Sequence, residues 1–195
     1  KGISAKQVSR TLGVSYKTAW KMVHKIRDSI RMYHKDFKGT VEMDETYVGG
    51  ERTRGRFGKG TTKACVVVIL ERMGKARTYI LKRVNKRGLH TIANKYINKS
   101  SSFMTDDLNL YRGLKFDGGH QVVKHSHKEY VRGDVHTNTA ESYFSLVKRS
   151  VRGTYHHISK KHLRKYLNEF EFRWNWRKIE DEILVRIAVK FGLSG

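Results

Sequence analysis

The sequence contains no proline and only one cysteine, Cys65, among its 195 residues. A single cysteine cannot form an internal disulfide, so a disulfide-stabilised secreted domain is not expected. The longest apolar run is residues 64–70, whereas a membrane-spanning helix needs about 20 such residues. We also find no signal-peptide pattern at the start. These absences argue against a secreted or transmembrane protein and favour a cytoplasmic one.

Acidic residues are scarce as well, since 18 Asp and Glu stand against 41 Lys and Arg and give a formal net charge of +23. Such an excess predicts a polyanionic partner, either nucleic acid or an anionic membrane. Hydrophobic residues make up 38% of the chain, which is enough for a folded core. In a chain this basic, a carboxylate inside a strand or an apolar segment needs a structural or chemical reason.

Residues 1–35 are predicted to form two helices joined by a turn that contains Gly13. Ser4 is a suitable N-cap for a helix over residues 5–12, and Ser15 for a second helix that runs to about residue 33. The arrangement is that of a helix-turn-helix, whose second helix enters the major groove of DNA. We therefore assign residues 1–35 to a DNA-binding segment and residues 36–195 to a second, larger domain.

The second helix carries two stripes at helical spacing. An apolar stripe is predicted to face the core and contains Ala19, Val23, Ile26 and Ile30. A basic stripe is predicted to contact DNA and contains Lys17, Lys21 and Lys25. A surface hairpin with a solvated lysine face is the alternative. The net charge of +8 over residues 1–40 (ten Lys and Arg, two Asp) favours DNA binding.

From residue 40 the pattern changes to β-branched and aromatic segments separated by glycine-containing turns. Strands are predicted at residues 41–48, 64–71, 76–84, 102–105 and 121–125. Helices are predicted at residues 89–98, 138–152, 161–177 and 180–191. Strands first, with helices interposed and then terminal, predict an α/β or α+β core with one mixed sheet.

A loop between the first two of these strands carries five basic residues and one acidic residue over positions 51–63. Its arginines, Arg52, Arg54 and Arg56, are predicted to contact DNA phosphates. A flexible, solvated loop is the alternative interpretation.

Three carboxylates are the candidate catalytic and metal-binding residues: Asp44 inside a predicted strand, Asp106 after a short strand, and Glu141 near the start of a helix. Each has a simpler structural explanation, namely a solvated strand face, a turn or N-cap, and a capping box with Asn138. Together, however, they can meet at one end of a sheet. Hard oxygen ligands of this kind suit Mg²⁺ or Mn²⁺, and two such ions can support phosphoryl transfer.

Two cations follow Glu141 along the adjacent face of the same predicted helix. Lys148 and Arg152 lie about two and three turns further on, where they are predicted to hold the DNA backbone. A metal-binding carboxylate beside phosphate-gripping cations is the arrangement that an enzyme acting on DNA needs. The histidines, in contrast, form no zinc-binding pattern.

Five segments carry motifs in a fixed order: residues 43–50, 105–114, 136–141, 153–157 and 171–177 (MDETYVGG, TDDLNLYRGL, HTNTAE, GTYHH and EFRWNWR). They closely resemble the ISXO-like insertion-sequence transposases, which are DDE transposases with a ribonuclease-H-like core. The resemblance covers nearly the whole chain. It implies a ribonuclease-H-like mixed sheet flanked by helices and preceded by the helix-turn-helix.

The resemblance also implies that Asp44, Asp106 and Glu141 form the catalytic triad, with 34 residues between the last two. Asp107 competes with Asp106, but Tyr111 five residues later matches the family at Asp106. Glu45 adjoins Asp44, yet on a strand it should point to the opposite face. The resemblance also implies a cysteine-rich zinc ribbon before the helix-turn-helix, but Cys65 is the single cysteine of this sequence. Because the sequence begins at Lys1 without a Met, we expect it to be a fragment or a trimmed product from which the ribbon is missing.

The function that follows is divalent-metal-dependent DNA cleavage and 3′-OH strand transfer of an insertion sequence, with two Mg²⁺ ions or Mn²⁺ in their place. We expect double-stranded DNA as partner, at element ends and at the target, and a homodimer or larger assembly on it. No membrane and no small-molecule cofactor are expected, and the protein should be prokaryotic and nucleoid-associated when bound. A structure-selective nuclease on the same core, a catalytically silent DNA-binding remnant and an RNA-binding protein are the alternatives.

Overall fold

The computed structural model describes residues 2–32, 36–49, 63–123 and 133–193. The helices are α1 (Ala5–Leu12), α2 (Tyr16–Ser29), α3 (Lys86–Tyr96), α4 (Asn138–Ser150), α5 (Leu163–Asn175) and α6 (Asp181–Leu193). The strands are β1 (Thr40–Val48), β2 (Ala64–Glu71), β3 (Ala76–Leu81), β4 (Ser102–Asp106) and β5 (His120–Val123). A 3₁₀ turn spans Asn109–Tyr111 and a π-helical turn spans Val151–Tyr155. The order of elements is the predicted one.

Two compact units make up the fold. One contains the sheet, α3 and the first part of α4, and the other contains α1, α2, α5, α6 and the end of α4. The boundary inside α4 falls between Ser145 and Leu146. In the part of the chain that the structure describes, no helix is long and apolar enough to cross a membrane.

The sheet has five strands in the order β3-β2-β1-β4-β5. Neighbours β1, β2 and β3 are antiparallel, whereas β1 pairs with β4 and β4 with β5 in parallel. The sheet is therefore mixed, with helices against it, and it is compatible with a ribonuclease-H-like core. The predicted fold class is confirmed.

Strand β2 explains much of the stability of the sheet unit. Residues 66–70 form an unbroken apolar run, and each of them is fully buried, because β2 is covered on both faces. On one face, α3 packs its buried side chains against alternate residues of β1 and β2. This core cluster includes Val41, Met43, Cys65, Val67, Ile69, Leu89, Ile92 and Ala93.

In the helical unit, α1 and α2 begin at the predicted caps. Ser4 accepts a hydrogen bond from the Gln7 amide and Ser15 from the Thr18 amide. Gly13, at the end of α1, has φ of 64°, a left-handed conformation that glycine adopts at little cost and that reverses the chain into α2.

The predicted apolar stripe on α2 is wrong at one residue, Ile26. Ala19, Val23 and Ile30 are buried, but Ile26 is 47% exposed, and the polar Arg27 is buried instead. The arginine is tolerated there because its Nε lies 2.8 Å from Glu169 Oε2 and its guanidinium stacks 4.0 Å from the ring of Tyr166. A buried ion pair from α2 to α5 thus replaces an apolar contact.

Removal of Glu169 should destabilise the helical unit strongly, because Arg27 would remain buried without a counter-charge. We expect Glu169→Ala to cost about 3–5 kcal/mol of unfolding free energy. Urea denaturation followed by circular dichroism measures the change.

The matched control is Glu182→Ala, which breaks the exposed Glu182–Arg186 pair on α6. Exposed pairs of this kind contribute about 0–1 kcal/mol, so the control should unfold close to the wild type. Equal effects of the two substitutions would contradict a structural role for the buried pair.

Candidate active site

Asp44 and Asp106 lie on β1 and β4, which are neighbours in the sheet. Glu42 of β1 pairs with Met104 of β4 in parallel register, and Asp44 and Asp106 each lie two residues further along their own strand. Alternate residues of a strand share a face, so the two aspartates project to the same side of the sheet. The assignment of both aspartates to a catalytic triad stays a prediction.

Helix α4 begins with its first amides bound to Glu42, the β1 residue two positions before Asp44. The amides of Thr139 and Ala140 donate to Glu42 Oε2 over 2.9 and 3.0 Å, and the Thr139 hydroxyl donates to Oε1 over 2.9 Å. Glu42 is completely buried. A carboxylate at a helix N-terminus satisfies unpaired amides and complements the helix dipole. Glu141 follows directly on this anchored first turn.

The charge of Glu42 is balanced by Arg72, which immediately follows β2. Arg72 Nε lies 2.7 Å from Glu42 Oε1, and its other nitrogens donate to the carbonyls of Asp134 and His136 over 2.7 and 2.8 Å. His136 Nδ1 lies 3.6 Å from the same Glu42 oxygen. Arg72 therefore links the segment that leads into α4 to Glu42 of β1.

Sequence reasoning missed Glu42, and its alternative explanation for Glu141 was a capping box with Asn138. In the structure Asn138 is already the first helical residue, and the caps come from a strand 97 positions away. One signal was available: Glu42 stands between Val41 and Met43 in an acid-poor chain, a setting in which a carboxylate needs a buried partner.

Asp44 sits among other carboxylates. Burial raises the pKa of Asp44 to about 7, and the neighbouring charges of Glu45, Asp106 and Glu141 contribute to this increase from its ordinary value of 3.8. The Glu45 amide donates to Asp44 Oδ1 over 2.7 Å, which opposes the increase only in part. Asp106 and Glu141 are therefore close enough to act on Asp44 through their charges.

Glu45 is a fourth carboxylate of this region. Alternation along β1 groups it with Met43 on the α3 side, where the Tyr111 hydroxyl donates to Glu45 Oε2. Burial raises the pKa of Glu45 to about 7, and the charge of Asp106 adds to the increase. Glu45 is thus electrostatically coupled to Asp106, although the residues before and after Glu45 in β1 point to the opposite face of the sheet.

Asp106 closes β4 within an ordered set of polar contacts. The Leu108 amide lies 3.2 Å from Asp106 Oδ1 and donates to it, which turns the chain after the strand. The preceding residue, Thr105, is fully buried, and its Oγ1 lies 2.9 Å from His120 Nε2 on β5. Burial lowers the pKa of His120, so it favours the neutral ring.

The donor set fits a divalent cation in its chemistry. Oxygen ligands are what Mg²⁺ and Mn²⁺ prefer, and a bound cation would stabilise the ionised Asp44 against the burial and the neighbouring negative charges that raise its pKa. Among the described residues, however, no three His, Cys, Asp or Glu side chains are already placed to hold an ion together. The carboxylate side chains would therefore have to move closer together to bind an ion jointly.

The predicted DNA-contacting residues fall in three places. Lys17, Lys21 and Lys25 are exposed along one face of α2. Lys148, near the end of α4, and Arg152, in the π-helical turn, are also exposed and belong to the helical unit. The π turn changes the spacing after Ser150, so a continuous α-helical ridge from Lys148 to Arg152 is not formed. The loop arginines Arg52, Arg54 and Arg56 lie outside the described residues.

Comparison with known proteins agrees with the architecture. Residues 36–175 match the ISXO2-like transposase domain. A protein of Halobacterium salinarum named "Uncharacterized protein in transposable element ISH50" is 30% identical over 188 residues, covering 87% of this chain. The chain spans 64% of the length of that relative. Because the domain match takes in the whole sheet, α3, α4 and α5, the chain belongs to the ISXO2-like transposase family.

Proposed function

We propose that the chain catalyses divalent-metal-dependent cleavage of DNA at the ends of an insertion sequence and transfers the freed 3′-OH to target DNA. The observation that supports this proposal is the raised pKa of Asp44, which burial causes in the first place and to which the charges of Glu45, Asp106 and Glu141 add. Three carboxylates gathered in a protein of net charge +23 have little structural use as repelling anions. They have a clear chemical use as ligands for divalent cations that act on a phosphodiester.

In the first step a water oxygen bonds to phosphorus at the element end, and the bond from phosphorus to the 3′ oxygen breaks. In the second step the freed 3′-OH bonds to a target phosphorus, and the target's own 3′ oxygen leaves with the proton that the attacking hydroxyl gave up. The number of phosphodiester bonds is unchanged in this second step, so no external energy source is needed. Divalent ions, when bound, would supply positive charge at the attacking and leaving oxygens.

The protein's own residues take distinct parts in this scheme. Asp44 and Asp106 project from the sheet to hold the ions, and Glu141 completes the ligand set from α4. The lysines of α2, with Lys148 and Arg152, hold the DNA backbone, since each cation that meets a phosphate releases condensed counterions. Two DNA ends must be joined together, so a homodimer or larger assembly on DNA is part of the proposal.

Substitution of any triad residue should abolish catalysis and spare DNA binding. We expect Asp44→Asn, Asp106→Asn and Glu141→Gln each to reduce strand transfer by about 10³-fold or more, because one metal ligand is lost. The assay uses DNA that carries both element ends, in Mg²⁺ and in EDTA, with duplex binding measured in parallel.

The matched control for the second aspartate is Asp107→Asn, which should remain active. Strand transfer by Asp106→Asn at the wild-type rate would reject the assignment. Cleavage without joining, even when pre-nicked ends are supplied, would identify a nuclease instead of a transposase.

The same carboxylates should make the metal-free protein less stable as the pH rises. The folded-state pKa of Asp44, about 7, is above its ordinary value of 3.8, so the folded protein holds this proton more tightly. The stabilising contribution of the protonated Asp44 is therefore fully present below about pH 4, and it is lost as the pH rises through about 7. We expect Asp44→Asn to stabilise the metal-free protein at pH 8 by up to about 4 kcal/mol, since one pKa unit corresponds to about 1.4 kcal/mol.

Thermal melts of wild type and variant in EDTA at pH 4 and pH 8 measure this difference, which should nearly vanish at pH 4. The exposed Asp117, replaced by Asn, serves as the control and should change neither melt. A variant that melts below the wild type at pH 8 would argue against carboxylate repulsion at Asp44.

Glu42 should act as a positioning residue for Glu141. The amide side chain of a Glu42→Gln variant could still accept one helix amide but would leave Arg72 without its counter-charge, so the first turn of α4 should shift. We expect strand transfer to fall about 10–100-fold, with a higher Mg²⁺ requirement and unchanged affinity for duplex DNA. A purely structural role would lower the melting temperature without moving the Mg²⁺ dependence. Glu182→Gln, on exposed α6, is the control.

A further inference from the structure

The helical unit contains a cavity of about 520 Å³ that the proposed chemistry does not use. Its wall is formed by the start of α1, one face of α2, the end of the π-helical turn with the residues after it, and α5. The volume is within the range of about 300–1,000 Å³ that is usual for small-ligand sites. All of these segments belong to the same compact unit.

The α2 wall of the cavity is a stripe of rings. Tyr16, Trp20 and His24 are spaced four residues apart, so they lie on one helical face and all line the cavity. His162 and Tyr166 line it from α5. The ring centroids of Trp20 and His24 are 4.0 Å apart, and those of His24 and His162 are 5.0 Å apart.

His24 gives the strongest indication of a ligand. It is only 3% exposed, and neither of its ring nitrogens has a hydrogen-bond partner within the described part of the chain. A buried polar group without a partner is costly and uncommon in folded proteins. Burial lowers the pKa of His24 to about 4, so near neutral pH the ring is uncharged and offers one donor and one acceptor.

The residues next to this stripe are basic. Lys17, Lys21 and Lys25 each follow a ring residue by one position, so the exposed lysine face runs directly alongside the aromatic one. Lys6 adds a cation to the cavity wall itself. Stacking rings beside a row of cations are the combination that binds unstacked nucleotides, because bases stack on the rings and phosphates meet the lysines.

We propose that the cavity takes one nucleotide of DNA that has left the base stack, with its base stacked on Trp20. The imidazole nitrogens of His24 bond to the edge of that base, and the lysine face holds the flanking backbone. The inference rests on the proposed function in one respect, namely that the partner is DNA. A metal ion does not fit, since the histidines here form no group of three placed to bind one among the described residues.

The test compares a short labelled duplex that is fully paired with the same duplex carrying one extrahelical thymidine. We expect the wild type to bind the second duplex about tenfold more tightly by fluorescence anisotropy, because stacking of one base contributes about 1–3 kcal/mol. Trp20→Ala should reduce this preference to less than about twofold. Tyr96→Ala, an aromatic residue of α3 outside the cavity, should leave it unchanged.

His24→Phe gives a second measurement that does not depend on the fold of the Trp20 variant. It keeps a ring beside Trp20 but removes both nitrogens, so the preference should fall while the thermal midpoint rises. Loss of stability together with an unchanged preference would contradict the role of His24.

The outcomes separate this inference from the proposed function. Equal binding of both duplexes by a protein that still performs strand transfer would overturn the nucleotide site alone. Failure to bind either duplex would overturn DNA binding and the nucleotide site together. Saturable binding of free thymidine monophosphate with the affinity of the extrahelical duplex would make the cavity a small-molecule site and also overturn the proposal.

Discussion

The buried contact between Glu42 and the first turn of α4 sets the position of everything that the site requires. Glu42 and Asp44 are two residues apart on the same face of β1, so the carboxylate that holds the helix and the one that is electrostatically coupled to Asp106 share one strand. The Glu42 carboxyl is completely buried, which is tolerable only because Arg72 and three hydrogen-bond donors surround it. The geometry of Glu141 therefore depends on a strand distant in sequence.

Local patterns predicted most of the architecture because they depend on neighbouring residues alone. The apolar run of β2, the serine caps of α1 and α2 and the glycine turn between them are all local features, and the structure confirms them. Glu42 and Arg27 could not be found in this way. Each is a charged residue whose partner lies far away in the sequence, so periodicity placed Ile26 and not Arg27 among the buried residues of α2, and it passed over Glu42.

Two polar groups that the protein itself compensates poorly lie where the proposed ligands would bind. Burial, with a further contribution from neighbouring carboxylates, raises the pKa of Asp44, and the His24 imidazole is buried without hydrogen-bond partners in the described region. The buried ions Arg27 and Glu42, in contrast, are paired within the protein. Since an uncompensated group reduces stability, an external partner that completes its interactions gives a physical reason for each of the first two.

The order of the strands has a consequence for how the protein folds. The antiparallel meander β1-β2-β3 joins neighbouring segments and can form early, whereas the parallel pairs of β1 with β4 and of β4 with β5 need long loops to close first. Helix α4 can dock on Glu42 only after it has been synthesised, 97 positions later. A nascent or truncated chain that ends before α4 thus lacks the helix that binds Glu42, so the Glu42 side chain is left without its helix partners. The proposed catalytic centre is complete only when α4, which carries Glu141, has docked on Glu42.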